Sequence, residues 1–127
     1  MTKKIIFLIC LFISLVCVIC FEQIYTERAI SEVGEKVKTL QSYIGDNDLD
    51  LSSKQSNDII STWKDREKII CLFVDYRDIE QISRQANLVY SHLSNHDFEL
   101  AKVECSALLL ALDNFKNMVK FDFFNIF

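Results

Sequence analysis

"ISEVGEKVKTLQSYI", residues 30–44, carries five aliphatic side chains at alternating spacings of three and four positions. An α-helix turns once in about 3.6 residues, so these side chains share one face, as in a helix that packs against a partner. The same spacing returns in "IEQISRQANLVYSHL", residues 79–93. The two sets are Ile30, Val33, Val37, Leu40 and Ile44, and Ile79, Ile82, Ala86, Val89 and Leu93. They predict two core-facing helices.

The second set of aliphatic positions is the first displaced by 49 residues, and the displacement continues without a gap into the following segments. Asp48 then aligns with Asp97, and Trp63 aligns with Leu112. The chain has no proline and only two glycines, so few residues are available to break a helix. The sequence therefore predicts an all-α, up-and-down four-helix domain made of two helical hairpins.

The amino-terminal stretch "IIFLICLFISLVCVICF", residues 5–21, is apolar except for Ser14. As a helix it is about 25 Å long, close to the thickness of a bilayer core of about 30 Å. Lys3 and Lys4 precede it, and positive residues favour the cytoplasmic side of a membrane. We therefore predict an uncleaved anchor in the cell membrane, with the amino terminus cytoplasmic and the carboxyl terminus extracytoplasmic.

A cleaved signal peptide is the alternative interpretation of this stretch, and it would give a secreted helical protein. Signal peptides have a shorter apolar region followed by a small-x-small cleavage site. The residues that lead to Glu22, "VICFE", contain no such pair of small residues.

The predicted domain plan has three parts. They are a cytoplasmic tip at 1–4, a transmembrane anchor at 5–21 and an extracytoplasmic helical domain at 22–127. The helical domain divides into hairpin one (22–73), hairpin two (76–119) and an aromatic tail (120–127). The expected helices are the anchor helix continuing through Ile44, and helices over 52–73, 76–93 and 98–119.

A metal site is one interpretation of His92, His96 and Asp97, because two histidines four apart with a nearby acid can hold a cation. The matched segment of hairpin one, "DNDLDL" at 46–51, has no histidine but keeps the aspartate, the apolar residue, the acid and the leucine. This shared pattern is typical of a helix start, so we predict a turn in which Asp48 and Asp97 cap helices. A sensing domain centred on the two histidines stays the alternative.

The up-and-down arrangement brings the bend at "IICLFVDY" and the tail at "KFDFFNIF" to the bilayer end of the domain. The candidate residues for contact with the membrane or with a partner are Leu72, Phe73, Phe121, Phe123, Phe124 and Phe127. These side chains either close the base of the bundle or contact lipid headgroups or a membrane-embedded partner. Asp75 is the predicted cap of the third helix, Trp63 a core anchor, and Cys71 and Cys105 buried free thiols.

Charge and motifs exclude several classes of function. The chain has 18 acidic against 14 basic residues and no basic stripe, so nucleic acid is not an expected partner. It has no phosphate-binding glycine loop, nucleophile elbow or HExxH motif, so neither an enzyme nor a cofactor is expected. We predict an interaction or accessory domain, whose partners are the membrane and either an integral membrane protein or a second copy of the chain.

The stretch "TWKDREKIICLFVDYRDIEQISRQANLVYSHLSNHD", residues 62–97, resembles a family of small bacterial membrane-anchored helical proteins known only as a domain of unknown function. Trp63, "LFVDYRDIEQI" at 72–82 and the terminal "NIF" at 125–127 carry the resemblance. The family more often has histidine where this chain has Tyr76. The resemblance implies a hydrophobic amino-terminal segment followed by helices, and it implies no activity. The helix pairs are also weakly similar to tetratricopeptide hairpins.

Overall fold

The computed structural model describes residues 1–126, and the side chains of residues 1–120. The chain forms four helices: α1 (Thr2–Gly45), α2 (Leu49–Ile70), α3 (Tyr76–Ser94) and α4 (Phe98–Ile126). No strand occurs among residues 1–126. This architecture confirms the predicted all-α fold, with a long amino-terminal apolar helix that continues into the bundle.

Two helices differ from the prediction by more than one residue. Helix α2 starts at Leu49 rather than 52, because Asp48 caps it directly, and it ends at Ile70 rather than 73. The next residues form a turn in which the Leu72 and Phe73 amides donate to the carbonyls of Ile69 and Ile70. Helix α4 continues past 119 to Ile126, through a segment that contains no glycine or proline.

The helices are antiparallel neighbours around a closed ring. Each helix packs against the next, and α1 also packs against α4. Near the start of α2, Gln55 donates to the Lys36 carbonyl, whereas Arg66 near its end lies over the ring of Tyr25. Helices α1 and α2 are therefore antiparallel, so later residues of α2 contact earlier residues of α1. This arrangement places the α2–α3 turn beside the end of the apolar run.

Both predicted stripes are buried over their whole length, in α1 from Ile30 to Ile44 and in α3 from Ile79 to Leu93. The other two helices complete the core with Ile59, Trp63 and Ile70 on α2 and with Ala101, Cys105, Leu108, Leu112, Phe115 and Val119 on α4. Burying one Val, Leu, Ile or Phe side chain contributes about 1.5–3 kcal/mol. The fold is therefore held mainly by these four apolar stripes.

Several positions that are 49 residues apart have similar backbone geometry or burial in the structure. In both hairpins the turn residue has a positive φ, 55° at Asn47 and 58° at His96. Matched positions of α2 and α4 are buried in pairs: Ser52 with Ala101, Ser56 with Cys105, Ile59 with Leu108, Trp63 with Leu112, and Ile70 with Val119. The two hairpins thus share one pattern of turn geometry and burial.

The prediction of two buried thiols is correct for Cys105 and wrong for Cys71. All five cysteines are free, Cys105 is buried, and Cys71 is exposed. Cys71 lies outside the core because α2 ends at Ile70, so the thiol belongs to the turn and not to the buried face of the helix.

Candidate functional site

Of the candidate metal ligands, His92 lies half-buried in the last turn of α3, whereas His96 and Asp97 belong to the turn between α3 and α4. His96 is exposed and adopts a left-handed backbone, and the Asp97 Oδ1 accepts the Leu100 amide at 3.1 Å. The matching turn of hairpin one repeats this arrangement, because Asp48 Oδ1 accepts the Leu51 amide at 3.1 Å. No group of three potential His, Cys, Asp or Glu ligands lies together among the described residues. The turn geometry thus accounts for the position of Asp97 without a metal.

The bend between α2 and α3 combines a helix cap with exposed apolar side chains. Asp75 accepts the Arg77 amide at 3.0 Å and the Arg77 guanidinium at 3.1 Å. Both bonds lower the pKa of the Asp75 carboxyl, and the bond from the backbone amide has the larger effect. Leu72 is 73% exposed and Phe73 is half-buried. The candidate contact residues of this bend therefore lie largely outside the core.

The remaining predicted contact residues are Phe121, Phe123, Phe124 and Phe127. Their side chains lie outside the described residues, although the backbone of α4 extends through Ile126. The part of the predicted surface that can be described is therefore the bend at Leu72 and Phe73.

Trp63 is a buried core residue with a satisfied polar atom. Its Nε1 donates to Ser83 Oγ at 2.9 Å, and Ser83 Oγ in turn donates to Glu67 Oε2 at 2.9 Å. The Trp63 ring meets Phe115 of α4 edge to face, with centroids 6.4 Å apart. A buried indole N–H requires such an acceptor, so this network serves packing and leaves Trp63 no open face for a ligand.

Sequence reasoning missed the cluster that joins α1 to α2 near the end of the apolar run. Arg66 Nε donates to Glu32 Oε2 at 3.0 Å, and the guanidinium carbon lies 5.9 Å from the centroid of the Tyr25 ring. The pKa of the Arg66 guanidinium is raised, with the Tyr25 side chain as the largest cause and the Glu32 carboxylate as the second. Because Arg66 and Glu32 are separated by 34 positions, no local spacing signals this pair.

Helix α1 changes character along its length. From Met1 to Cys20 nearly every side chain is exposed, whereas from Thr26 onward one face is buried in the bundle. Within the described residues, α1 alone is long and apolar enough to cross a membrane, and a signal sequence would meet the same criteria. The amino-terminal segment is thus compatible with either a single-pass anchor or a signal sequence.

Comparison with known proteins identifies a family for most of the chain. The model of a family described as Domain of unknown function (DUF4363) matches residues 20–126, from the end of the apolar run through the described part of α4. No curated protein and no solved structure matches the chain. The matched region coincides with the four-helix bundle and leaves out most of the apolar segment.

Proposed function

This chain belongs to the DUF4363 family, and we propose that it is a single-pass membrane protein. Its helical bundle would serve outside the cytoplasm as an interaction or accessory module, without catalytic chemistry of its own. The observation that carries the proposal is the continuity of α1. One unbroken helix contains both an exposed apolar run and a stripe buried in the bundle core.

Exposure of the apolar run supports its placement in lipid. Side chains such as Phe7, Leu11 and Leu15 are 67%, 56% and 60% exposed, and none of the described residues covers them. A continuous apolar surface of this length is unstable in water, and a bilayer removes it from water at no cost in backbone hydrogen bonding. Lys3 and Lys4 at the amino-terminal end favour the orientation with that end in the cytoplasm.

The proposed anchor would hold the bundle at a fixed height above the membrane. Arg66 lies over Tyr25, and the last turn of α2, to Ile70, continues for about 6 Å toward the bilayer end. The bend at Leu72 then lies level with Phe21, the last residue of the apolar run. Leu72 and Phe73 are accordingly the proposed contacts with lipid headgroups, where apolar and aromatic side chains are favoured.

Cys71 provides a native reporter for this topology. It is exposed, whereas Cys105 is buried and burial, aided by Glu104, raises the pKa of its thiol to about 12. Cys10 and Cys17 lie deeper in the apolar run and would be shielded by lipid, and a Cys20→Ser background removes the remaining thiol, which lies close to the height of the bend. A membrane-impermeant maleimide added to intact cells that express the full chain in this background should therefore label it once, at Cys71. Cys71→Ser should abolish the labelling, and Cys105→Ser should leave it unchanged.

Two outcomes would contradict the proposal. Labelling of Cys71 only after the cells are lysed would overturn the orientation. A labelled protein whose intact mass lacks the apolar run, found in the medium and not in the membrane fraction, would establish cleavage and secretion instead.

A further inference from the structure

The outer face of α4 carries apolar side chains that the bundle does not cover. Leu100, Val103 and Leu110 are 46%, 62% and 61% exposed, and Ala107 is half-buried between them. Their spacings of three, four and three residues follow the alternation of three and four that forms a seam between paired helices. The core of this chain uses a different face of α4, on which Ala101, Cys105 and Leu108 are buried.

Helix α3 extends this apolar surface. Gln85 donates to the Glu104 carbonyl at 3.2 Å, which brings this side of α3 against α4 near Val103. Leu88 lies one turn farther along α3, toward the start of α4, and is 42% exposed. We call this surface the outer stripe; it consists of Leu88, Leu100, Val103, Ala107 and Leu110.

Hairpin one shows that the fold does not require apolar residues at these positions. The residues 49 positions earlier are Thr39, Leu51, Lys54, Asp58 and Ser61, all of them exposed. Four of the five are polar, in a hairpin with the same buried positions and the same turns. The outer stripe is therefore a property of hairpin two alone, and core packing does not explain it.

The charged residues at the seam-flanking positions of α4 are all acidic. In a helical seam built on residues 100, 103, 107 and 110, the flanking positions are 99, 104, 106, 111 and 113. The charged residues among them are Glu99, Glu104 and Asp113, and none is basic. A second copy of α4, parallel or antiparallel, would place acids beside acids, which destabilises pairing.

We propose that the outer stripe docks an amphipathic helix of another protein, whose apolar seam is flanked by basic residues. The helix packs along α4 with its apolar side chains between Leu88 and Leu110, and its Lys or Arg side chains pair with Glu99, Glu104 and Asp113. This inference names the partner chemistry of the interaction role proposed above, and it does not depend on how the chain is attached to the membrane.

The test measures peptide binding to the full chain in nanodiscs of neutral phosphatidylcholine, which does not attract basic peptides by charge. The probes are two designed amphipathic peptides with the same leucine seam, one with lysine and one with glutamate at the flanking positions. We expect the lysine peptide to bind at least about tenfold more tightly, the equivalent of about 1.4 kcal/mol.

Three variants connect the binding to the outer stripe. The combination Val103→Lys, Ala107→Asp and Leu110→Ser installs the residues of hairpin one and should abolish binding while circular dichroism stays unchanged. The pair Glu99→Lys and Asp113→Lys should reverse the preference between the two peptides. The matched control is the pair Lys54→Val and Ser61→Leu in hairpin one. It should leave the affinity for the lysine peptide within about twofold of that of the unmodified chain, because the acidic flanking residues are on α4.

Equal affinity of the two peptides, or binding that survives the triple variant, would overturn the proposal. The proposal would also be overturned if the outer stripe were occupied by a second copy of this chain. Val103→Cys in a Cys71→Ser background would then form a disulfide-linked dimer under mild oxidation, and the triple variant would lower the oligomeric state. Each of these results is independent of the maleimide labelling at Cys71, so failure of the docking proposal is distinguishable from failure of the proposed topology.

Discussion

Hairpin one and hairpin two bury the same positions, but they differ in the residue types at those positions and on their exposed surfaces. Hairpin one buries Ser52 and Ser56 where hairpin two buries Ala101 and Cys105. Hairpin one joins its helices through ion pairs, such as Lys36 with Asp58 and Arg66 with Glu32. In hairpin two the corresponding connection is the uncharged amide of Gln85, which donates to Glu104.

The difference shows that helix geometry selects positions and not residue types. A helix face that points into the bundle must exclude water, and tryptophan, leucine, serine and cysteine all occur on it here. The exposed face is free of this requirement, so it can be polar in hairpin one and apolar in hairpin two. Under the functions proposed above, hairpin one would provide continuity with the apolar segment and hairpin two would display the outer stripe.

The largest expected effect comes from the matched pair Trp63 and Leu112. Trp63→Ala should lower the free energy of unfolding by about 3–5 kcal/mol, and Leu112→Ala by about 2–5 kcal/mol. Trp63 should be the more costly of the two, because its loss also removes the edge contact with Phe115 and the bond to Ser83. Urea unfolding of the full chain in detergent, followed by circular dichroism, measures both. Leu51→Ala, at a position 44% exposed, is the control and should change the value little.

The pair Ser52 and Ala101 should give effects of opposite sign. Ser52 Oγ is buried and has no hydrogen-bond partner among the described residues, whereas the matched position holds Ala101, which is fully buried. An unsatisfied buried hydroxyl costs about 1–3 kcal/mol, so Ser52→Ala should stabilise the fold and Ala101→Ser should destabilise it. The same urea titration reports both. A loss of stability in Ser52→Ala would show that this hydroxyl has a partner in solution.

The two turn caps should behave alike. Asp48 and Asp97 each accept the amide three residues on, at 3.1 Å in both hairpins. Replacing either by alanine should lower the free energy of unfolding by about 1 kcal/mol, and the two losses should add. Thermal unfolding of the single and double variants measures this. If Asp97→Ala cost far more than Asp48→Ala, and only with zinc present, the histidine turn would be a metal site after all.

The smallest expected effect is on the pH dependence of stability and comes from the Cys105 thiol, whose matched position in hairpin one is Ser56. It is absent at neutral pH. Burial, with Glu104 second, raises the pKa of Cys105 from its usual value of 9.0 to about 12. Between these values the folded chain keeps a proton that the unfolded chain has lost, so stability should fall as the pH rises from about 9 toward about 12. Cys105→Ser should show a shallower decline than the unmodified chain in urea titrations across this range. Identical slopes would mean that the thiol does not ionise on unfolding.

Spacing along the chain was sufficient to predict most of the fold. The stripes from Ile30 to Ile44 and from Ile79 to Leu93 are buried throughout, because a fixed helical period puts such residues on one face. The caps at Asp48, Asp75 and Asp97 were also predictable, since a helix start has a local signature.

Other features depended on where helices end and which faces meet. Cys71 was expected in the core, but α2 ends one residue earlier and leaves it exposed. The Ser83–Glu67 bond and the Arg66–Glu32 pair join different helices, so their distances are set by how those helices pack. Equally, Leu100, Val103 and Leu110 look like core residues in the sequence, and only the assembled bundle shows that they are exposed.

The sequence by itself determined the four helices, the faces that α1 and α3 bury and the apolar run at the amino terminus, because all three follow from local periodicity and composition. Tertiary structure alone decided which apolar residues of α4 stay in water. A bundle of four helices covers one face of each helix, and α4 has apolar residues on two. The second, exposed apolar face of α4 is present in hairpin two, and hairpin one has no matching apolar face.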